Sequence, residues 1–320
     1  MALTGEPTWQ TVVDAHLSEF TNPNTCQRYR ADLSLLFRTN DWQHPHQMTA
    51  PAVVAWCTAP TERGRRANNS VRVRIAVVKA FLDYCRDHDV PAPNVATTLD
   101  RLRSSHPKLL GKVQDHHEAA RLTTDELARL FAACSDGTWR GSRDQIALRL
   151  LALGLRNAEV RTLTWSCVHH DGSIQTIGKA GKLRTVYPGP TLAAQLATWR
   201  RYYERAVGPA TGTAPVLAVW TSRHCRTTPP VPGIGRRTLE EICRNRAQLA
   251  GLPHLAPHDL RRTLARIMWD ATDQHGTRLH DIAEVADALG HSARSLAVTQ
   301  EAYIGPLSDK GRRAAGRLVD

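Results

Sequence analysis

Residues 168–190 read VHHDGSIQTIGKAGKLRTVYPGP, and they hold the only stretches of the chain with a convincing strand pattern. Asp171-Gly172 is a dipeptide that accepts the positive φ values a tight reversal demands. IQTI and LRTVY are rich in β-branched residues and flank a glycine-containing loop, GKAGK, so the segment predicts a small antiparallel sheet. Outside it the apolar residues recur at helical spacing. The fold class that follows is mainly α in two domains: an N-terminal helical bundle, then a mostly helical domain with a small antiparallel β-sheet.

Working outward, Asn24 or Thr25 can cap a helix whose apolar residues Tyr29, Leu33, Leu36 and Phe37 recur at spacings of three and four. Thr49-Ala-Pro opens another, with Pro51 in the first turn. Ser70 precedes the run Val71, Ile75, Val78, Leu82, with Arg72, Arg74 and Lys79 mainly off that stripe. Preceded by Arg63, Arg65 and Arg66, this helix can lay a basic face on a DNA backbone or present an ordinary solvated surface. Residues 91–121, with three prolines and weak periodicity, read as the linker closing the first domain. The expected division is 1–105, a linker over 106–120, and 121–320. In the second domain Thr123 or Thr124 serves as N-cap, Arg143 to Leu153 is an apolar helix stopped by Gly154, and Asn157 caps the next helix through Leu163.

At 320 residues, 42% apolar and 22% charged, the chain can bury two cores. No stretch approaches the roughly 20 apolar residues of a membrane span, and Met1 to Gln10 has no signal-peptide core, so a soluble cytoplasmic protein is expected. The seven cysteines are odd in number and scattered, without a C-x-x-C pair, and read as reduced thiols. A net charge of +12 points to a polyanionic partner. Six lysines against thirty-six arginines is a skew that a GC-rich genome produces unaided, so distribution says more: residues 1–105 carry net +2 and residues 106–320 net +10.

Several side chains in that second part can carry chemistry. Arg156, in LGLRNAEV, sits just beyond a helix-ending glycine, where its own context favours a structural pair with Glu159. In PHDLRRTLARIMWD, Leu260, Leu264, Ile267 and Met268 form an apolar stripe with His258 and Arg261 on its flank and Arg262 and Arg266 opposite. A semi-buried Arg261 needs an anion, either an internal carboxylate or a phosphate held bidentately. Lys179 and Lys182 lie in the hairpin loop, as a solvated turn or as a lysine carried to a leaving oxygen. That loop lacks the glycine spacing, the Ser or Thr and the following helix of a P-loop. His291 follows DIAEVADALG, a helix with Asp281 in its first turn and Gly290 at its C-cap. Tyr303 stands twelve residues further on, either a surface aromatic or a nucleophile.

In this order the boxes RDQIALRLLALGLRNAEVRTLTW, IGKAGKLRTVYP, PHDLRRTLA, LGHS and QEAYIG resemble the tyrosine recombinase (phage integrase) family over about residues 121–305. The N-terminal helices are more loosely similar to that family's core-binding domain. The resemblance implies a site-specific DNA recombinase or integrase in which Tyr303 attacks the scissile phosphate, forming a 3′-phosphotyrosyl link and freeing a 5′-hydroxyl. It assigns Arg156 and Arg261 to the non-bridging oxygens, Lys179 to the leaving 5′-oxygen, and His258 and His291 to phosphate hydrogen bonding and proton transfer. Arg72, Arg74, Lys79, Lys182 and Arg262 are the candidate DNA contacts. No metal, ATP or other cofactor is implied. The implied partner is double-stranded DNA with paired half-sites, bound by a dimer per site and a tetramer in synapsis.

The sequence departs from the family in the interval from His291 to Tyr303, longer by about three residues, close to one helical turn. The tail SDKGRRAAGRLVD is short, with few apolar anchors. Competing readings are a non-cleaving DNA-binding protein on the same scaffold and a type IB topoisomerase-like relaxing enzyme. A metal hydrolase fits least, because His116-His117 and His169-His170 are adjacent pairs without helical ligand spacing.

Overall fold

A computed structural model of the chain describes residues 6–62, 68–109, 120–178, 181, 183–219, 232–291 and 296–304. The chain divides into two compact units, Met1–His116 and His117–Asp320.

Among its described residues the first unit contains five α-helices: α1 (Trp9–Ser18), α2 (Pro23–Thr39), α3 (Ala50–Thr58), α4 (Asn68–Asp87) and α5 (Ala96–Leu109). Asn22, rather than Asn24 or Thr25, caps α2, accepting from the backbone N–H groups of both, and Pro23 fills the first turn. Leu33, Leu36 and Phe37 of α2 meet Val71, Ile75, Val78 and Phe81 of α4 in one apolar core, with Trp9 stacked on Phe37 at 5.2 Å. Helix α5 runs through the stretch expected as linker. Its Leu99 and Leu102 reach the same core, and two such anchors one turn apart hold a helix whose periodicity is otherwise weak.

Arg74 corrects the expected basic face of α4. It lies three residues after Val71 and four before Val78, which rotates it onto the flank of the buried stripe. The guanidinium is 5% exposed, sits 4.0 Å over the Trp56 ring and donates to the Trp56 carbonyl, so it ties α4 to α3 and does not face solvent. Arg72 is exposed, and Lys79 donates to Asp100 of α5 at 2.6 Å. Arg63, Arg65 and Arg66 lie outside the described residues.

The second unit contains α6 (Thr124–Ala132), α7 (Trp139–Ala152), α8 (Asn157–Arg161), β1 (Ile174–Ile177), β2 (Leu183–Val186), α9 (Pro190–Ala206), α10 (Arg236–Leu249), α11 (Pro257–Asp270), α12 (Ile282–Ala288), α13 (Leu296–Val298) and a π-helix, Thr299–Ile304. Thr123 and Glu126 form a reciprocal capping box that starts α6. Helix α7 is central, buried through Ile146, Ala147, Leu148, Leu150 and Leu151, and packs on α9 and α11. It ends where Gly154 takes φ +92°, and Arg156, rather than Asn157, becomes the N-cap of α8. Buried Asp144 receives both Arg143 and Arg246, which fastens α10 to α7. The two strands pair antiparallel from Ile174 opposite Val186 to Ile177 opposite Leu183. The Asp171-Gly172 turn reverses the chain between Val168 and Ile174, which meet in an isolated bridge.

On α11 the buried residues are Pro257, Asp259, Leu260, Arg261, Thr263 and Ala265, while Leu264, Ile267 and Met268 are only half-buried. The buried face is therefore rotated from the expected stripe, and Arg261 is at its centre rather than its flank. No helix among the described residues is long and apolar enough to cross a membrane.

Candidate active site

The site forms where two helices stop. Helix α7 ends at Gly154, and α12 ends at Ala288, Leu289 and Gly290, whose carbonyls have no intrahelical partner. Three arginines from three different elements supply the missing donors. Arg184 of β2 donates to the Ala288 carbonyl at 3.0 Å, Arg261 of α11 to Leu289 at 2.8 Å, and Arg156 before α8 to Gly290 at 2.8 Å. Cations are favourable at a helix C-terminus because they meet the negative end of its dipole. The Gly154 carbonyl accepts from Arg261 and from Arg184 at the same time.

Among the described residues one carboxylate, Glu159, bonds to these arginines. It accepts from Arg156 Nη1 at 2.7 Å, from Arg184 Nη2 at 3.1 Å and from the backbone N–H of Arg156 at 2.8 Å. Burial alone would raise its pKa, but these bonds and the arginine charges outweigh burial and hold the carboxyl below its ordinary value. Two of the three guanidiniums, those of Arg156 and Arg184, thus share one carboxylate. Arg261 is 0% exposed, and its Nε has no hydrogen-bond partner among the described residues. Burial, opposed by the Tyr303 phenol and reinforced by Arg156 and Arg184, lowers the Arg261 pKa to about 10, so it is still a cation at neutral pH.

Tyr303 lies beside this cradle. Its ring is 8% exposed, with the His291 ring edge-on at 4.6 Å, the His258 ring edge-on at 5.0 Å and the Arg261 guanidinium 5.9 Å from its centre. Tyr303 is carried by the π-helix Thr299–Ile304. Two arginines hold its far end: Arg121 donates to the Tyr303 carbonyl at 2.9 Å and Arg266 to that of Ile304 at 3.5 Å. At the near end, Thr299 Oγ1 lies 2.8 Å from Nδ1 of His291.

The two histidines are held neutral. Burial, then Arg261 and Arg156, lowers the His291 pKa to about 4. His258 keeps an exposed edge at the start of α11, yet partial burial, Arg262 and Arg261 push its pKa down as well. Burial is the larger cause of both shifts, and the arginine charges that add to it are the part an entering phosphate would offset.

The expected residues Arg156, His258, Arg261, His291 and Tyr303 thus come together. Lys179 and Lys182 lie outside the described residues, although the strands on either side of their loop are in place. Arg262 pairs with Asp259 at 2.9 Å. Sequence reasoning missed Arg184, Thr299 and the Gly154 carbonyl. For Arg184 a signal existed: it shares the inner side of β2 with buried Val186 by strand alternation, and an arginine facing inward on a strand needs partners.

This helical unit brings three arginines, two histidines and the Tyr303 phenol together, an arrangement whose charge suits a phosphate ligand. Residues 120–305 match the sequence model of the Phage integrase family. The chain is 29% identical over 280 residues to tyrosine recombinase XerC of Corynebacterium efficiens, covering 86% of this chain and 79% of that one. It is 31% identical over 195 residues to tyrosine recombinase XerD of Neisseria meningitidis serogroup A, covering 60% of this chain and 62% of the relative. Among solved structures, the fold is similar to the Tn1549 transposon integrase in complex with transposon right end DNA, at TM-score 0.68 and 14% identity over 98% of this chain and all of that one (100%). It is likewise similar to a lambda integrase dimer bound to a core site, at TM-score 0.62 and 14% identity over 92% of this chain and 96% of that one. The chain belongs to the phage integrase family, as a tyrosine-type site-specific DNA recombinase.

Proposed function

We propose that Tyr303 is the nucleophile, acting in the active site of its own chain. Its phenol oxygen attacks the phosphorus of a DNA phosphodiester, the new bond being a 3′-phosphotyrosyl link, and the bond from phosphorus to the 5′-oxygen breaks. The phenol proton is released, with His258 and His291 placed to assist the transfer, and the leaving 5′-oxygen takes up a proton supplied by Lys179 of the hairpin loop. Arg156 and Arg261 bond the non-bridging oxygens, where charge grows in the transition state. Because the phosphotyrosyl bond keeps the energy of the phosphodiester, a 5′-hydroxyl from a second DNA strand reverses the step and rejoins the backbone without ATP.

One observation supports this reading: Arg156, Arg184 and Arg261 converge beside Tyr303, and among the described residues Glu159, bonded to two of them, is the one carboxylate that joins them, which leaves a net positive charge for an anion to offset. The partner is double-stranded DNA carrying paired half-sites, with a dimer per site and a tetramer during exchange. Arg72 and Lys182 are proposed as backbone contacts outside the cluster. The XerC and XerD names of the relatives, and the DNA-bound dimer of lambda integrase, support this assignment. The division of labour follows the two units, with DNA grip in the first and chemistry in the second.

The test is covalent trapping. On a nicked suicide duplex cut from DNA flanking the gene, the wild type forms a protein–DNA complex that survives SDS, and Tyr303→Phe forms none. A variant lacking the phenol oxygen that still forms the complex, or a wild type that never does, overturns the assignment.

A further inference from the structure

The segment that carries Tyr303 is tied to the second histidine by a side chain that the cleavage chemistry does not itself require. Thr299 is the first residue of the π-helix, is 0% exposed, and places Oγ1 2.8 Å from Nδ1 of His291. The histidine backbone is fixed independently, because its N–H closes the end of α12 on the Ala286 carbonyl at 2.8 Å. Only the ring orientation and its tautomer are left for Thr299 to set.

A neutral imidazole has one N–H and one lone pair, so what Nδ1 does decides what Nε2 can do. The charged groups facing the ring are Arg261 on α11, Arg156 before α8 and Arg184 on β2, with His258 and the Tyr303 phenol beside them. Glu159 lies behind two of the arginines and is engaged by both, and Asp287 is exposed one turn back on α12 itself. Cations in front of the ring oppose an imidazolium. A neutral ring can assist a phosphate oxygen only through an N–H, and that N–H must be on the nitrogen away from Thr299.

We propose that Thr299 is a positioning residue: its hydroxyl donates to Nδ1 of His291 and fixes the tautomer whose Nε2–H is presented to the scissile phosphate. The proposal rests on the reading of Tyr303 as nucleophile and of His291 as a phosphate ligand. It gives the extended interval between them a use. One hydrogen bond at the start of the π-helix orients the imidazole, and the same segment, four residues on, places Tyr303 against that ring.

The experiment compares Thr299→Val, which keeps the shape and removes the hydroxyl, with Thr299→Ser, which keeps the hydroxyl. Single-turnover cleavage of the suicide duplex is followed across pH, beside wild type and Tyr303→Phe. Loss of one oriented hydrogen bond should slow Thr299→Val about tenfold, while Thr299→Ser remains within about twofold of wild type. Nitrogen-15 NMR of histidine-labelled protein supplies a readout that a merely structural role would not move. In the wild type, Nδ1 of His291 should be of the unprotonated type and Nε2 of the protonated type, and Thr299→Val should mix the two. Thr299→Val cleaving as fast as wild type, or the reverse tautomer in wild type, overturns the proposal while the nucleophile assignment stands. A wild type that forms no covalent complex overturns the nucleophile assignment instead. If Thr299→Val does not fold, the wild-type spectrum and the Thr299→Ser rate still decide the matter.

Discussion

Replacing Glu159 with glutamine tests the electrostatic account of the site most directly. The glutamate side chain is 3% exposed and touches Arg184, 10% exposed, and Arg156, 30% exposed. Glutamine keeps the shape and one acceptor oxygen, enough for the backbone N–H of Arg156 at the start of α8. Its amide nitrogen, however, turns a donor towards a guanidinium that also only donates. A hydrogen bond to a charged group contributes about 1.5–3 kcal/mol, and breaking a buried ion pair costs about 3–5 kcal/mol. The Arg156 share must be reduced because water reaches that side chain, so the expected loss is about 2–4 kcal/mol at neutral pH.

The pH dependence has a definite sign. The carboxyl is held below its ordinary value in the folded state, so its contribution is complete above the unfolded pKa and is lost as pH falls through the folded one. The gap between wild type and Glu159→Gln should therefore be widest at neutral pH and close below about pH 4. Urea-dependent hydrogen exchange of amides in α7 and α8 confines the readout to the unit that contains the site. A gap under about 0.5 kcal/mol at neutral pH, or one that persists unchanged into acid, refutes the reasoning.

Two further outcomes follow from other positions. Arg72→Ala should weaken DNA binding and reduce its salt dependence by about one counterion, whereas Arg74→Ala should lower the melting temperature of the first unit, since Arg74 joins Trp56 rather than solvent; salt titrations of DNA binding and thermal scans separate the two, and a reversed pattern would restore Arg74 to the basic face. For His291 the folded pKa lies near 4 against 6.5 for the free side chain, so the unfolded chain binds the extra proton and wild-type stability falls as pH drops across that interval. Urea midpoints of His291→Asn at neutral and mildly acidic pH should show a flatter decline than wild type, and an equal slope would mean that the imidazole is not held neutral.

Much of this was legible in the chain itself. The strand pair was readable because β-branched alternation and an Asp-Gly turn coincide within two dozen residues, and the helix ends at Gly154 and Gly290 because glycine accepts the positive φ found at both. Arg156, Arg261, His258, His291 and Tyr303 could be named together because the ordered boxes that hold them resemble one family, whereas the local context of each left its role open. The rest depended on geometry that periodicity does not carry. Arg74 and Arg72 are two residues apart on one helix, yet one is buried under Trp56 and the other exposed, a distinction set by where α3 lies. Helix α5 was hidden because only two of its positions are strongly apolar and buried. The face of α11 was misjudged because a buried arginine was not counted as part of the core. Nothing in the spacing between His291 and Tyr303 announced the π-helix over Thr299–Ile304.

The Gly154 carbonyl has a consequence for how such a site is mapped. It is a backbone atom, so no side-chain truncation deletes it, and yet two arginines depend on it. A scan that replaces residues one at a time by alanine would credit Arg261 and Arg184 with separate effects and miss their common anchor. The lesion that exposes it is a side chain at position 154 itself, where φ is +92° and an added Cβ would come within 3.0 Å of the Ala288 carbonyl. Such a change would turn the peptide and loosen both guanidiniums together, so one glycine is the genetic handle on two charges that lie 30 and 107 residues further along the chain.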